Sequence, residues 1–206
     1  MYYWNSILTE KSWRILIDLK KERFDFIVIG GWAAYLLTKL HKSKDIDILL
    51  KDYKDLDYLK KNYDLIKNDN LKKYEIKFEE IDLDVYVPFY SRLAIPAEDL
   101  KKYTIKIQGF EVVRPEALLI LKQGAEKDRE HSAKGEKDKI DIMTLLLLAD
   151  INFDEYFNLL KIYRLEDYYE RLKHIVNNFS EIKYLDINPR EFKLKKTDLI
   201  KKLRKV

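Results

Sequence analysis

Two nearby stretches decide the fold: FDFIVIGGWAAYLL, residues 24–37, and SKDIDILL, residues 43–50. Phe24 to Ile29 is a short β-branched and aromatic run, which predicts a buried strand. It ends on Gly30-Gly31, two of the chain's five glycines, and Trp32 to Leu40 continues with helical character. Glycine permits a sharp backbone turn and close approach of a phosphate, and a helix that starts there offers unpaired N–H groups. An ordinary strand-to-helix turn carries the same pair. Lys44 to Lys51 predicts a second strand, yet it holds Asp45 and Asp47, and Asp is depleted in strands. At positions i and i+2 the two carboxylates share one face, with Cα atoms about 6–7 Å apart, while Ile46, Ile48 and Leu50 turn to the other. Adjacent carboxylates raise each other's pKa unless a cation lies between them. An oxygen-only set without Cys or His suits Mg²⁺. A strand with one wet face is the plainer reading of the same pattern.

The anomaly recurs in IDLDVYV, residues 81–87, where Asp82 and Asp84 share a face opposite Ile81, Leu83, Val85 and Val87. If this strand neighbours the first acidic one, three carboxylates suffice to hold two Mg²⁺ ions about 3.5–4 Å apart, the arrangement used for phosphoryl transfer. Spacing leaves Asp82 and Asp84 open as the third acid. Asp84 is preferred for its apolar flank Val85-Tyr86-Val87.

Outward from these stretches, Ser6 to Glu22 has helical apolar spacing, Tyr53 to Tyr63 looks helical, and Tyr74 to Phe78 looks like a strand. Pro88 ends the acidic strand, and Pro96-Ala97-Glu98 suits a helix start. Ile105 to Ile107 and Phe110 to Val113, joined by Gln108-Gly109, read as a hairpin. The character changes at Arg114-Pro115. Glu116–Lys127, Lys137–Leu148, Phe153–Tyr163 with Asn152 as N-cap, and Leu165–Phe179 are all helical in pattern, with a loop expected over residues 130–136. The expected fold class is therefore α/β (α+β): a small mixed sheet flanked by helices, then an α-helical C-terminal portion. The expected domains are an α/β domain over residues 1–114 and a helical domain with a basic tail over residues 115–206.

The 206 residues are 47% hydrophobic and 37% charged, enough for a core and contrary to wholesale disorder. No Cys occurs, which excludes disulfide frameworks, thiolate zinc sites and thiol catalysis. Three His (His41, His131, His174) leave little for an imidazole metal site. The longest apolar run, Leu145 to Ala149, is far too short to cross a bilayer, and MYYWNSILTEKSW lacks the basic leader and apolar core of a signal peptide. A soluble cytoplasmic protein is the expectation. From Arg190 onward eight Lys or Arg face two acids, a net +6 within a chain of net +4. Such a tail attracts phosphate-bearing partners, although a solvated terminal helix accounts for it equally well.

The order strand, Gly-Gly, helix, Asp-x-Asp strand, later acidic strand resembles the nucleotidyltransferase superfamily with the DNA polymerase β-like fold. The carrying motifs are IGGWAAYLL, SKDIDILL and IDLDVYV. Within it, GGWAA and SKDID, followed by Lys122 and Arg129 in LKQGAEKDR and by Lys137, Asp138 and Asp141 in KDKIDIMTLL, are similar to AbiEii-like and other small prokaryotic nucleotidyltransferase toxins. The resemblance implies Mg²⁺-dependent transfer of an NMP from an NTP to a hydroxyl of RNA, protein or a small molecule, with two Mg²⁺ ions. It implies Asp45, Asp47 and Asp84 as catalytic metal ligands. It implies Gly30, Gly31, Ser43, Lys44, Lys122 and Arg129 as nucleotide-binding residues, although the two helical cations are as readily just solvated, and Lys137, Asp138 and Asp141 are as readily intrahelical or interhelical pairs as site residues. Implied partners are an NTP, tRNA or another RNA, and an antitoxin protein. The alternative is a catalytically inactive nucleotide- or nucleic-acid-binding module of the same fold. Trp32 is a candidate for base stacking or for core packing.

Overall fold

The computed structural model describes residues 6–203; the first five residues, and Arg204, Lys205 and Val206 of the basic tail, lie outside the described residues. The chain divides into two compact units, Met1–Arg114 and Pro115–Val206.

The first unit is built from α1 (Ser6–Leu19), β1 (Phe26–Val28), α2 (Gly30–Thr38), β2 (Ile46–Leu50), α3 (Asp55–Asn62), β3 (Ile66–Asn68), β4 (Lys73–Phe78), β5 (Ile81–Tyr86), β6 (Thr104–Ile107) and β7 (Phe110–Val113). Its strands form one mixed sheet in the order β3-β4-β5-β2-β1-β7-β6. The pairs β2–β5 and β1–β7 are parallel and the others antiparallel. Period-two patterning sets which side of each strand is sealed. Ile46, Ile48 and Leu50 of β2 and Ile81, Leu83 and Val85 of β5 are fully buried. The intervening Asp47, Asp82, Asp84 and Tyr86 are only half-buried. Helices α1 and α2 contact the sheet, and Trp32 lies wholly in the core, where its indole N–H donates to Ser12 Oγ at 2.9 Å. Of the two roles open to Trp32, packing is the one it has.

Strand β3 was not legible in advance. Its three residues, IKN, are short and polar, and only antiparallel pairing with β4 holds them as a strand. The expected helix at Pro96 is a 3₁₀ turn, Ala97–Lys102.

The second unit contains α4 (Pro115–Asp128), α5 (Ala133–Leu148), α6 (Phe153–Tyr163), α7 (Asp167–Asn178) and α8 (Pro189–Leu203). Helix α5 begins earlier than its apolar period suggests, because Ser132 caps it: Gly135 N–H donates to Ser132 Oγ at 3.0 Å. Residues 133–136 are therefore helix, not loop. The described part of the basic tail is α8, which buries Phe192, Leu199 and Leu203 and leaves Lys193, Lys201 and Lys202 exposed. Mixed α/β architecture followed by an all-helical portion is thus the fold, as expected. Among the described residues no helix is long and apolar enough to cross a membrane.

Several buried polar groups of the helical unit are matched to one another. Lys122 Nζ donates to Asp141 Oδ2 at 2.6 Å and lies 3.6 Å from Asp138 Oδ1. Arg129 donates from Nε and Nη2 to the two oxygens of Asp138, at 2.5 and 2.9 Å. Gln123 donates to Tyr168 O and accepts from the Tyr156 hydroxyl. Arg171 Nε donates to the buried Glu126 at 2.6 Å. Breaking a buried pair from one side leaves an uncompensated charge, which costs about 3–5 kcal/mol. Lys122→Met is expected to destabilise the protein by about that amount in chemical denaturation. Lys122→Met combined with Asp141→Leu is expected to regain most of the loss.

Candidate functional site

The register of three neighbouring strands assembles the site. In the parallel pair β2–β5, Asp47 lies directly opposite Asp84. In the antiparallel pair β4–β5, Glu75 lies opposite that same Asp84. Directly paired residues project to the same face, and neighbouring strands are about 4.8 Å apart. Glu75, Asp84 and Asp47 therefore form a row of carboxylates across β4, β5 and β2. Asp82 lies opposite Lys77 instead. The register thus puts Asp84, rather than Asp82, beside Asp47. Asp45 stands just before β2, with Lys44 Nζ 3.9 Å from its Oδ1 and both side chains half-buried.

The paired glycines are required by close approach. Ile29 N–H donates to Asp47 O at 3.1 Å, which draws the end of β1 against β2. At Gly30 φ is +63°, and a Cβ there would fall inside the Asp47 carboxylate. A Cβ at Gly31 would collide with the side chain of Ser43, which is itself buried. Helix α2 starts at Gly30 with no side-chain cap on its N-terminus. Gly30, Gly31, Ser43 and Asp47 are in this way gathered at one helix start.

The electrostatics of the row are uneven. Burial and the neighbouring Asp47 charge push the Asp84 carboxyl up to about 6, against the opposing pull of Lys73. Lys73 Nζ is 2.5 Å from Asp84 Oδ2 and 3.2 Å from Glu75 Oε1, with only 12% of its side chain exposed. Burial works against that ammonium, yet the two carboxylates hold it above the ordinary lysine value. Glu75 also accepts from Asn68 Nδ2 at 2.9 Å. Despite burial, Asn68 and Lys73 hold Glu75 below the usual carboxylate range.

Lys73 and Glu75 are the site residues that sequence reasoning missed. KYEIKF alternates charged and apolar residues like any half-wet strand, and only the pairing of β4 with β5 gives those charges a meaning. Lys122 and Arg129 are engaged by Asp141 and Asp138 within the helical unit, and contact with a phosphate would compete with those ion pairs. Among the described residues no group of three or more His, Cys, Asp and Glu is preassembled to hold a metal ion. Mg²⁺, however, commonly takes one or two carboxylates and completes its shell with water and substrate phosphates. The oxygen-only pair Asp47 and Asp84 fits that mode, with Lys73 holding Asp84 from the side away from Asp47's strand.

A solved structure shares this architecture, and others resemble it more distantly. An H. pylori protein whose nucleotidyltransferase name is an assignment aligns with a TM-score of 0.54 at 19% identity, covering 97% of this chain and 96% of that one. An antigenic nucleotidyltransferase-like protein from Paracoccidioides brasiliensis gives a TM-score of 0.45 at 19% identity, covering 81% and 92%. The Megavirus polyadenylate synthase gives 0.45 at 18%, covering 68% and 30%. No protein-family model matches the chain, and no curated protein is significantly similar to it. At 19% identity the likeness to the H. pylori protein concerns the fold alone.

Asp84 binds a proton in the folded state at pH values where the unfolded chain has already released it. Stability is therefore expected to fall as pH rises from about 4 to about 6. In ¹³C NMR the Asp84 carboxyl should titrate near pH 6, and Asp47→Asn should move its midpoint down; a wild-type midpoint near 4 would exclude this picture. Gly30→Ala is expected to cost at least about 1–2 kcal/mol in urea unfolding, from the left-handed backbone alone.

Proposed function

We propose that this chain is a nucleotidyltransferase that moves an NMP from an NTP to an acceptor hydroxyl. The observation that carries the reading is the placement of Asp47 against Asp84, with Asp47 packed on Gly30 at the uncapped start of α2. In this reading the N–H groups at the start of α2, at Gly30 and Gly31, receive the triphosphate. Ser43 and Lys44 flank it. Asp45, Asp47 and Asp84 would hold Mg²⁺, two ions in the arrangement the superfamily uses, and that metal would neutralise charge on the α-phosphate and the departing pyrophosphate. The acceptor oxygen forms a bond to the α-phosphorus as the α–β anhydride bond breaks. The hydroxyl proton passes to Asp84. The protein's own contribution is positioning and charge compensation.

RNA, with tRNA foremost, is the proposed acceptor class, on the strength of the basic C-terminal stretch. An AbiEii-like toxin role with an antitoxin partner rests on the GGWAA and SKDID motifs. One observation favours the alternative of a catalytically silent nucleotide-binding module: Lys73 already occupies Asp84.

Incubation with Mg²⁺, each labelled NTP and total RNA separates these readings. Label transfer is expected in the wild-type protein, and Asp47→Asn is expected to lower its rate by at least about a hundredfold, the scale of losing one transition-state charge contact. Nucleotide binding by the wild type without transfer to any acceptor would establish the silent module instead.

A further inference from the structure

Lys73 is the feature of the site that the proposed chemistry does not use. It is a lysine with 12% of its side chain exposed, donating to an acid with 17% exposed, in the middle of the carboxylate row. Its ammonium is shared: Asp84 Oδ2 lies at 2.5 Å and Glu75 Oε1 at 3.2 Å, on two neighbouring strands. Glu75 is in turn fixed by Asn68 from β3. Lysine has three rotatable donors on a flexible stem, so it can give up one acceptor and keep the other. The second acceptor stays in place whether or not Asp84 is available.

A row of three carboxylates with Asp47 and Asp84 side by side would be strongly self-repelling without a cation near Asp84. In this structure the cation is Lys73. A divalent ion between Asp47 and Asp84 brings two positive charges to the same oxygens, and an ammonium at 2.5 Å from Asp84 would then repel it. The two cations cannot both hold Asp84 closely.

Resting on the nucleotidyl-transfer reading, we propose that Lys73 is a resident counter-ion for Asp84, which passes wholly to Glu75 when a divalent cation is bound between Asp47 and Asp84. Lys73 is thus a positioning residue. It keeps Asp84 folded inward in the metal-free protein and sets a threshold for cation binding. Glu75 is its acceptor in the loaded state, and Asn68 keeps that acceptor aimed.

The test is Mn²⁺ binding to the full chain, followed by electron paramagnetic resonance of free Mn²⁺. Lys73→Gln should tighten Mn²⁺ binding by about tenfold or more, since each tenfold step corresponds to 1.4 kcal/mol of removed competition. Lys73→Arg, which keeps the charge, should bind no more tightly than the wild type. Lys77→Gln removes the same formal charge from an exposed position on the same strand, and should change the affinity by less than about twofold. Unchanged or weaker binding in Lys73→Gln, or equal tightening in Lys77→Gln, overturns the proposal. A second measurement needs no variant: in wild-type protein with ¹³C-labelled lysine, Mg²⁺ should shift the Lys73 Cε resonance, and its constancy during Mg²⁺ saturation overturns the proposal. If Mn²⁺ binds and label transfer proceeds but Lys73→Gln binds Mn²⁺ as the wild type does, only this proposal fails. If neither protein binds Mn²⁺ and the wild type transfers no label, the nucleotidyl-transfer reading fails with it.

Discussion

Everything at the site depends on one like-charge contact. Parallel pairing of β2 with β5 puts Asp47 against Asp84 on a partly buried face, where burial and the Asp47 charge oppose the ionisation of Asp84. The pairing is maintained by what lies on the reverse side. Ile46, Ile48, Leu83 and Val85 are fully buried there, and a one-residue slip of either strand would turn those residues outward and the acids inward. Hydrophobic burial therefore fixes an electrostatically unfavourable juxtaposition. Such a juxtaposition has no benefit for packing, and in the nucleotidyl-transfer reading it is the place where the proposed cation would be received.

The glycines follow from the same constraint. With Asp47 at that register, the chain leaving β1 must pass over its carboxylate, and only a residue without Cβ can do so. A left-handed φ at Gly30 then redirects the backbone straight into α2. The second glycine clears Ser43. The space that side chains would take at the helix start is filled by Asp47 and Ser43, which sets the start of α2 directly beside the acid. Charge row and anion-receptive helix end are consequences of one another's placement.

Much of this was legible in the sequence because it rests on local period and local chemistry. Period-two alternation in IDILL and IDLDVY marked both acidic strands, Asn152 marked the start of α6, and the Gly-Gly pair marked the β1–α2 turn. Partnership was not legible. Whether β2 and β5 are neighbours, and in which register, depends on the burial of faces far apart in the chain; the choice between Asp82 and Asp84 had to await it. Lys73 and Glu75 were invisible for the same reason, since a charged residue on a half-wet strand carries no mark of what stands beside it. Ser132 is a different case: its N-cap signal is local, but the apolar period of α5 begins later, and the period was followed instead of the cap.

The two units treat buried charge in opposite ways, and the contrast bears on where chemistry belongs. In the helical unit three interior acids meet a base at contact distance, Asp141 with Lys122, Asp138 with Arg129 and Glu126 with Arg171, and a fourth, Glu116, accepts the Asn152 backbone N–H. Matched pairs of this kind bring little net stability over an apolar core, but they make each partner costly to lose, and they leave no charge for a ligand to satisfy. In the sheet, the row of Asp47, Asp84 and Glu75 meets Lys73, whose contacts go to Asp84 and Glu75. Lys73 offsets this only in part, and burial together with the Asp47 charge still leaves the Asp84 carboxyl raised. A protein interior that can match its charges, and does so in one unit, leaves the other only partly matched at a place lined by glycine backbone and a helix start. That imbalance, rather than the number of acids present, distinguishes a receptive site from a structural one.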